Sequence, residues 1–338
     1  MRRWTSGVIA TALAVGALGA TSAHGACVIK MYGQLQLEPT PGRTFVKGAA
    51  NGHAARFLAD TGADLTSIST PDAVSVGAAM RVRPGLDTYG VGGSVGTKVS
   101  SLDLTLGRTT VKGEAVMVLD GPASKAEPTV ILGRDLLLQH DLELDLPDQA
   151  IRFLQPTDCK AAELVYWNKP YSQVRLESDG SDHSAILVNV LLNGHIVPAM
   201  IDSGASTSVV TPEAAALAGV PYNAGEAREH AHGIGPHAVD VRVASFDSFT
   251  LGDETIKNVR IRIADLWKYN KIEETGTRLG YEQSVQTPKM LLGADFLAAH
   301  RAFVARSQNL IVFSYVGGPV FDVPPEAKSE PQAAPAAR

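Results

Sequence analysis

The chain has 338 residues, 45% hydrophobic and 19% charged, with 32 Gly, 19 Pro and a net charge of −5. That is a globular composition with room for two ordinary domains. The acidic balance offers no basic face for nucleic acid, and past the N-terminus no stretch is apolar enough to span a membrane. Residues 1–26 read as an export signal: Arg2-Arg3 form a positive head, Val8 to Ala20 an apolar stretch, and Ala23-His24-Gly25 a cleavage box. An exported chain is therefore expected, in the periplasm, with secretion or a lipid anchor on Cys27 as alternatives. Cys27 and Cys159 are the 2 cysteines of the chain. In an oxidising compartment they predict one disulfide, and His24-Gly25-Ala26 lacks the apolar residue expected three before a lipidated cysteine.

Two halves follow, and they repeat. Tyr32-Gly33-Gln34-Leu35-Gln36-Leu37-Glu38 matches Tyr171-Ser172-Gln173-Val174-Arg175-Leu176-Glu177. Asn51-Gly52-His53 matches Asn193-Gly194-His195 at an offset of 142, and Ile131-Leu132-Gly133 matches Leu291-Leu292-Gly293 at 160. The larger offset places insertions in the second copy, in the polar stretch Lys268 to Gln286, which reads as a surface loop. Each Asn-Gly pair predicts a hairpin, and Pro198 argues for an edge or irregular position. Leu102-Leu104-Leu106, Val116-Val118, Val241-Val243 and Ile261-Ile263 alternate as half-buried strands do. Behind each apolar-apolar-Gly triplet a short helix is predicted, Arg134 to Gln139 and Ala294 to Ala299, with Asp135 and Asp295 in the first turn. His140 and His300 end these helices as packing or capping residues. The domain reading is residues 27–155 for the first lobe, 156–170 for a linker, 171–323 for the second lobe and 324–338 for a disordered tail.

The chemistry concentrates at Asp60-Thr61-Gly62-Ala63 and Asp202-Ser203-Gly204-Ala205. Each turn ends an apolar run, Phe57-Leu58-Ala59 or Ala199-Met200-Ile201, and each leads to a Thr-Pro pair, Thr70-Pro71 or Thr211-Pro212. An acid at the end of a buried strand is costly unless it is hydrogen-bonded or partnered. Two such acids in two copies of one repeat suggest that the carboxylates meet. Like charges that close share one proton, so the pair can hold a water, take its proton and hydrogen-bond a carbonyl, with no cofactor or metal. Gly62 and Gly204 let the backbone turn tightly, and the hydroxyls of Thr61 and Ser203 are placed to lock the turns together. Copy one takes ten steps from Asp60 to Thr70 and copy two nine from Asp202 to Thr211, which puts equal loop lengths in question. His230, His232 and His237, with Asp240, match no strong ligand spacing, and no metal is expected.

These motifs resemble the aspartic peptidases, and within them the retroviral (retropepsin-like) branch and its bacterial relatives. Pro128-Thr129-Val130-Ile131-Leu132-Gly133-Arg134-Asp135-Leu136-Leu137 is especially similar to the retroviral pattern, and the likeness runs from about Tyr32 to Tyr315. The resemblance implies a mainly β fold of two barrel-like lobes related by a pseudo-twofold axis, each with one short helix, and Asp60 and Asp202 as the catalytic pair. It implies flaps at Gly90-Val91-Gly92 and Gly233-Ile234-Gly235, and an ion pair between Asp64 and Arg134 that copy two lacks, having Ser206 and Ala294. It implies hydrolysis of polypeptide substrates by a competent monomer; the alternative is a peptide-binding module without turnover. Ala63 and Ala205 stand where pepsin-like enzymes carry a hydroxyl, which predicts an optimum less acid than pepsin's.

Overall fold

Asn51 (φ 49°) with Gly52 (φ 78°), and Asn193 (φ 51°) with Gly194 (φ 80°), take the left-handed backbone that a two-residue hairpin turn between twisted strands requires. The structure, a computed structural model, describes residues 26–177, 185–224, 226–269 and 288–321. The first half contains β1 (Val28–Gln36), β2 (Phe45–Ala50), β3 (His53–Ala59), β4 (Ser67–Ser69), α1 (Thr70–Ser75), β5 (Arg81–Gly90), β6 (Gly93–Leu106), β7 (Thr109–Leu119), β8 (Thr129–Leu132), α2 (Arg134–Leu137), β9 (Asp141–Asp145) and β10 (Ala150–Thr157). After α3 (Ala161–Leu164) come β11 (Ser172–Arg175), β12 (Leu187–Leu192), β13 (His195–Ile201), β14 (Val209–Val210), α4 (Pro212–Leu217), β15 (Glu226–His232), β16 (Ala238–Leu251), β17 (Glu254–Ile263), β18 (Met290–Leu292), α5 (Ala294–Leu297), β19 (His300–Ala305) and β20 (Leu310–Tyr315).

In the first half the strand order is β2-β3-β8-β4-β7-β6-β5, and β2 also pairs with β6. Six strands thus close into a barrel, and β5 remains outside it as the outer arm of the β5–β6 hairpin. The second half repeats this as β12-β13-β18-β14-β17-β16-β15, closed by β12 on β16. One apolar cluster runs through both barrels, with Phe57, Leu102 and Leu132 buried on one side and Phe246, Phe249 and Phe296 on the other. A third sheet, β1-β10-β9-β19-β20-β11, takes three strands from each half and joins them where β9 pairs antiparallel with β19. The Cys27–Cys159 disulfide ties the start of β1 to the segment after β10.

Several expectations need correction. Each lobe holds two short helices rather than one. The additional helices, α1 and α4, begin at side-chain caps, where Ser69 accepts from the Asp72 amide and Thr211 from the Ala214 amide, with a proline in the first turn. The caps also show that the two loops are equal in length. Ser69, not Thr70, is the partner of Thr211, and each lies nine residues after its Asp. Pro198 is not on an edge strand, since β13 lies between β12 and β18, but it does stand at an irregular position, where pairing with β18 begins only at Ala199. In the first half the Arg56 amide donates to the Pro128 carbonyl (2.9 Å). Pro198 has no amide to donate, and the Trp267 indole takes the Pro288 carbonyl instead (2.8 Å). The segment 156–170 is folded onto the third sheet: Leu164 and Val165 are buried with Leu154, Phe303 and Val312. Residues 1–25 of the export signal, the tail at 324–338 and most of the insertion (270–287) lie outside the described residues.

Candidate active site

β3 ends at Ala59 and β13 at Ile201, so each strand hands the next residue, Asp60 or Asp202, to a turn at the junction of the barrels. The two turns are bound by four reciprocal hydrogen bonds. The Thr61 amide donates to Ser203 Oγ and the Ser203 amide to Thr61 Oγ1, both at 3.0 Å. The Thr61 hydroxyl donates to the Ile201 carbonyl (2.8 Å) and the Ser203 hydroxyl to the Ala59 carbonyl (2.7 Å). Both side chains are fully buried, which removes competing water and fixes the register of one turn against the other.

The lock brings the carboxyl groups of Asp60 and Asp202 into hydrogen bond with one another. Each also accepts from the two amides that follow it. Asp60 Oδ1 takes Gly62 and Ala63 (2.8 and 3.0 Å), and Asp202 Oδ1 takes Gly204 and Ala205 (2.9 and 3.0 Å). The glycines serve close approach rather than a left-handed turn. A Cβ on Gly62 would lie 2.5 Å from the Asp202 carboxyl carbon, and one on Gly204 2.2 Å from that of Asp60. Burial, and after it the charge of Asp202, push Asp60 up to about 8, against the pull of the Gly62 and Ala63 amides. Burial also raises Asp202, opposed by its amides, by the hydrogen bond from Asp60 and by the Arg134 charge. Both carboxyls are thus held above the ordinary range, and between its two ionisations the pair as a unit holds one proton.

Supports behind the turns differ between lobes. Arg134 donates to the carbonyls of Thr61 (3.1 Å) and Gly62 (3.0 Å) and to Asp64 Oδ1 (2.7 Å). In the second lobe Ala294 replaces it, and the equivalent carbonyls are approached from the first lobe. Arg43 Nη1 donates to the Gly204 carbonyl (3.2 Å), and the Thr44 hydroxyl sits 2.6 Å from the Ala59 carbonyl and 3.0 Å from that of Ser203. Asp135 holds Thr66 through its amide and hydroxyl (3.0 and 2.8 Å), and Asp295 holds Ser208 likewise (2.8 and 2.6 Å). Gly133 and Gly293 donate to those same hydroxyls, and a Cβ on either would run into the loop backbone. Sequence reasoning missed Arg43 and Thr44. Their repeat positions are Ala185 and Ile186, so the internal comparison carried no signal for them.

Above the pair lies a cleft of about 590 Å³, walled by Leu65, Met117, Met200, Val209, Leu266 and Trp267. The β5–β6 and β15–β16 hairpins cover it, and their tips meet. Gly92 donates its amide to the Ile234 carbonyl (2.7 Å) and accepts from the His237 amide (3.1 Å). Gly90 and Gly233 sit against Ile234 and Val91, where side chains would collide, and Gly235 (φ 117°) packs on the Gly92 backbone. His230 pairs with Asp240 (2.9 Å), and His237 stacks on Tyr269 at 4.4 Å. His300 is buried, with ring nitrogens on the Phe296 carbonyl and Glu254, while His140 stacks on Tyr32. Neither of these last two reaches the cleft.

Among curated proteins, none matches the chain. A similar solved structure is that of a retropepsin-like aspartic protease from Rickettsia conorii, 17% identical, with a TM-score of 0.24 over 28% of this chain and 75% of that one. The aspartyl protease family model matches twice, over residues 46–136 and 188–296, one match to each barrel and each containing one of the two acidic turns. With more than half its length so matched, and in two lobes that meet at those turns, the chain belongs to the aspartyl protease family.

Proposed function

We propose that the protein is an aspartic endopeptidase that hydrolyses peptide bonds of extended polypeptides, with Asp60 and Asp202 as its acid–base pair. One observation carries the reading: the locked turns set the carboxyl of Asp202 against Gly62 and that of Asp60 against Gly204, so the two acids meet at the floor of a cleft under two hairpins. A water bound between them gives its proton to Asp202 as its oxygen attacks the scissile carbonyl carbon, and Asp60 protonates the carbonyl oxygen. On collapse Asp202 returns its proton to the leaving nitrogen, and the diol proton goes back to Asp60, so the pair ends with the single proton it began with. The substrate lies as an added strand beneath the hairpin tips. Residence in the periplasm after export is part of the proposal, and the Cys27–Cys159 bridge supports an oxidising compartment.

The test is single Asp60→Asn and Asp202→Asn variants assayed on an unfolded protein, each expected to lose at least about 100-fold in kcat/KM. The pH profile of the unchanged enzyme belongs to the same test. Activity needs one proton on the pair. It rises as the pair loses its first proton, above the ordinary 3.8, and falls as the pair loses its second, at about 8. The expected maximum is weakly acidic to neutral. Activity surviving both substitutions, or a peak near about pH 2, would overturn the mechanism.

A further inference from the structure

The cleft is not symmetric in charge. Among the described residues its lining includes four acids, Asp60, Asp64, Asp87 and Asp202, one arginine, Arg43, and one histidine, His232. Arg43 is exposed, and its side chain makes one hydrogen bond among the described residues, from Nη1 to the Gly204 carbonyl (3.2 Å). Among the described residues it has no carboxylate partner, so at the cleft wall most of the five donors of its planar fork are not engaged by protein. The pseudo-twofold operation does not reproduce this. At the repeat offset of 142 Arg43 becomes Ala185, and Ser206, which packs against neighbouring Gly42, becomes Asp64. One end of the cleft therefore presents a guanidinium beside a serine. The other presents Asp64, which is 66% exposed and only partly engaged by the buried Arg134.

We infer that Arg43 is a specificity-determining residue that selects peptides carrying an acidic side chain on one side of the scissile bond and not on the other. The inference rests on the proteolytic reading for the position of the scissile bond, and on the charge pattern alone for the selection. A guanidinium accepts a carboxylate in a forked pair and rejects an ammonium. With Gly204 two residues beyond Asp202, and a strand rise of about 3.3 Å per residue, the selected position falls within about three residues of the bond. The pair is solvent-exposed, so the preference is about fivefold and shrinks with salt.

The experiment uses two readouts. A set of apolar-centred decapeptides, identical except for one Asp, Ala or Lys moved along the sequence, is measured for binding to the Asp60→Asn chain and for cleavage by the unchanged chain. Asp is expected to beat Lys by about fivefold at one or two positions on one side only. Adding Arg43→Glu is expected to invert that ratio, and Arg43→Lys to keep its sign. A purely structural role at Gly204 would lower all peptides together and leave the ratio unmoved. Indifference of both readouts to peptide charge, or an acidic preference that survives Arg43→Glu, would overturn the inference. Cleavage without charge preference would do so while leaving the endopeptidase standing. Charge-selective binding without cleavage of any peptide would uphold it while removing the endopeptidase.

Discussion

Arg134 and Asp64 form one ion pair at 2.7 Å, yet they stand in different surroundings: the Arg134 side chain is 8% exposed and Asp64 66%. The carboxylate is screened by water, so the pair itself is worth little. The stabilisation lies in the guanidinium's bonds to the Thr61 and Gly62 carbonyls, which hold the turn that carries Asp60. Arg134→Ala is expected to cost about 3 kcal/mol, because it strands buried carbonyls. Asp64→Asn is expected to cost less than about 1 kcal/mol. Urea unfolding of both variants checks this, and equal losses would assign the stability to the ion pair. The presence of both partners was legible in the sequence; their unequal weight was not, because exposure is set by the fold. The lock of Thr61 on Ser203 was legible for a different reason. Both hydroxyls adjoin acids that a repeat brings face to face, so one symmetry element places them. Arg43 and Thr44 lie outside that symmetry, and only three dimensions bring them to Gly204 and Ser203.

The third sheet holds the two halves together at the level of strands. β9 and β19 bring Glu143, Asp145 and Arg301 side by side across the boundary, and Arg152 from β10 bonds both acids. Arg301 reaches Glu143 (3.0 Å), Asp145 (3.4 Å) and the Tyr166 hydroxyl (2.8 Å), with the Tyr166 and Trp167 rings against its guanidinium. Glu143 is fully buried, so removing one cation leaves charge uncompensated in low dielectric. Arg301→Met is therefore expected to destabilise by about 3 kcal/mol, and Arg301→Lys to recover little, since an ammonium lacks the planar fork. Thermal melts check it, and an unchanged Tm for Arg301→Met would show that the backbone ladder alone joins the halves. Alternating Leu142-Leu144-Leu146 announced a strand but could not name its neighbour. The pairing of β9 with β19 joins residues far apart in sequence, and no local pattern encodes it. The hairpins at Asn51-Gly52 and Asn193-Gly194 were legible because turn chemistry is local. Helices α1 and α4 carried equally local signals, a hydroxyl cap and a first-turn proline.

At the scale of the molecule, one chain contains both acidic turns, both hairpin covers and both sides of the joining sheet. A half-molecule would expose the β9 edge, leave Glu143 without Arg301 and present one Asp with no partner. With both turns in one chain, the site is expected to form without a second copy, as a covalent link between two half-sites would allow. Specific activity is therefore expected to stay constant on dilution from micromolar to nanomolar, with the active species sedimenting as a monomer. A site shared between copies would instead lose specific activity as dimers dissociate. A mixing experiment sharpens the difference. Asp60→Asn and Asp202→Asn chains, each with one intact acid, regain activity together only if sites form between molecules. The Thr61–Ser203 lock and the Asp60–Asp202 hydrogen bond lie within one chain, so the mixture is expected to remain inactive, and recovered activity would transfer the site to an intermolecular interface.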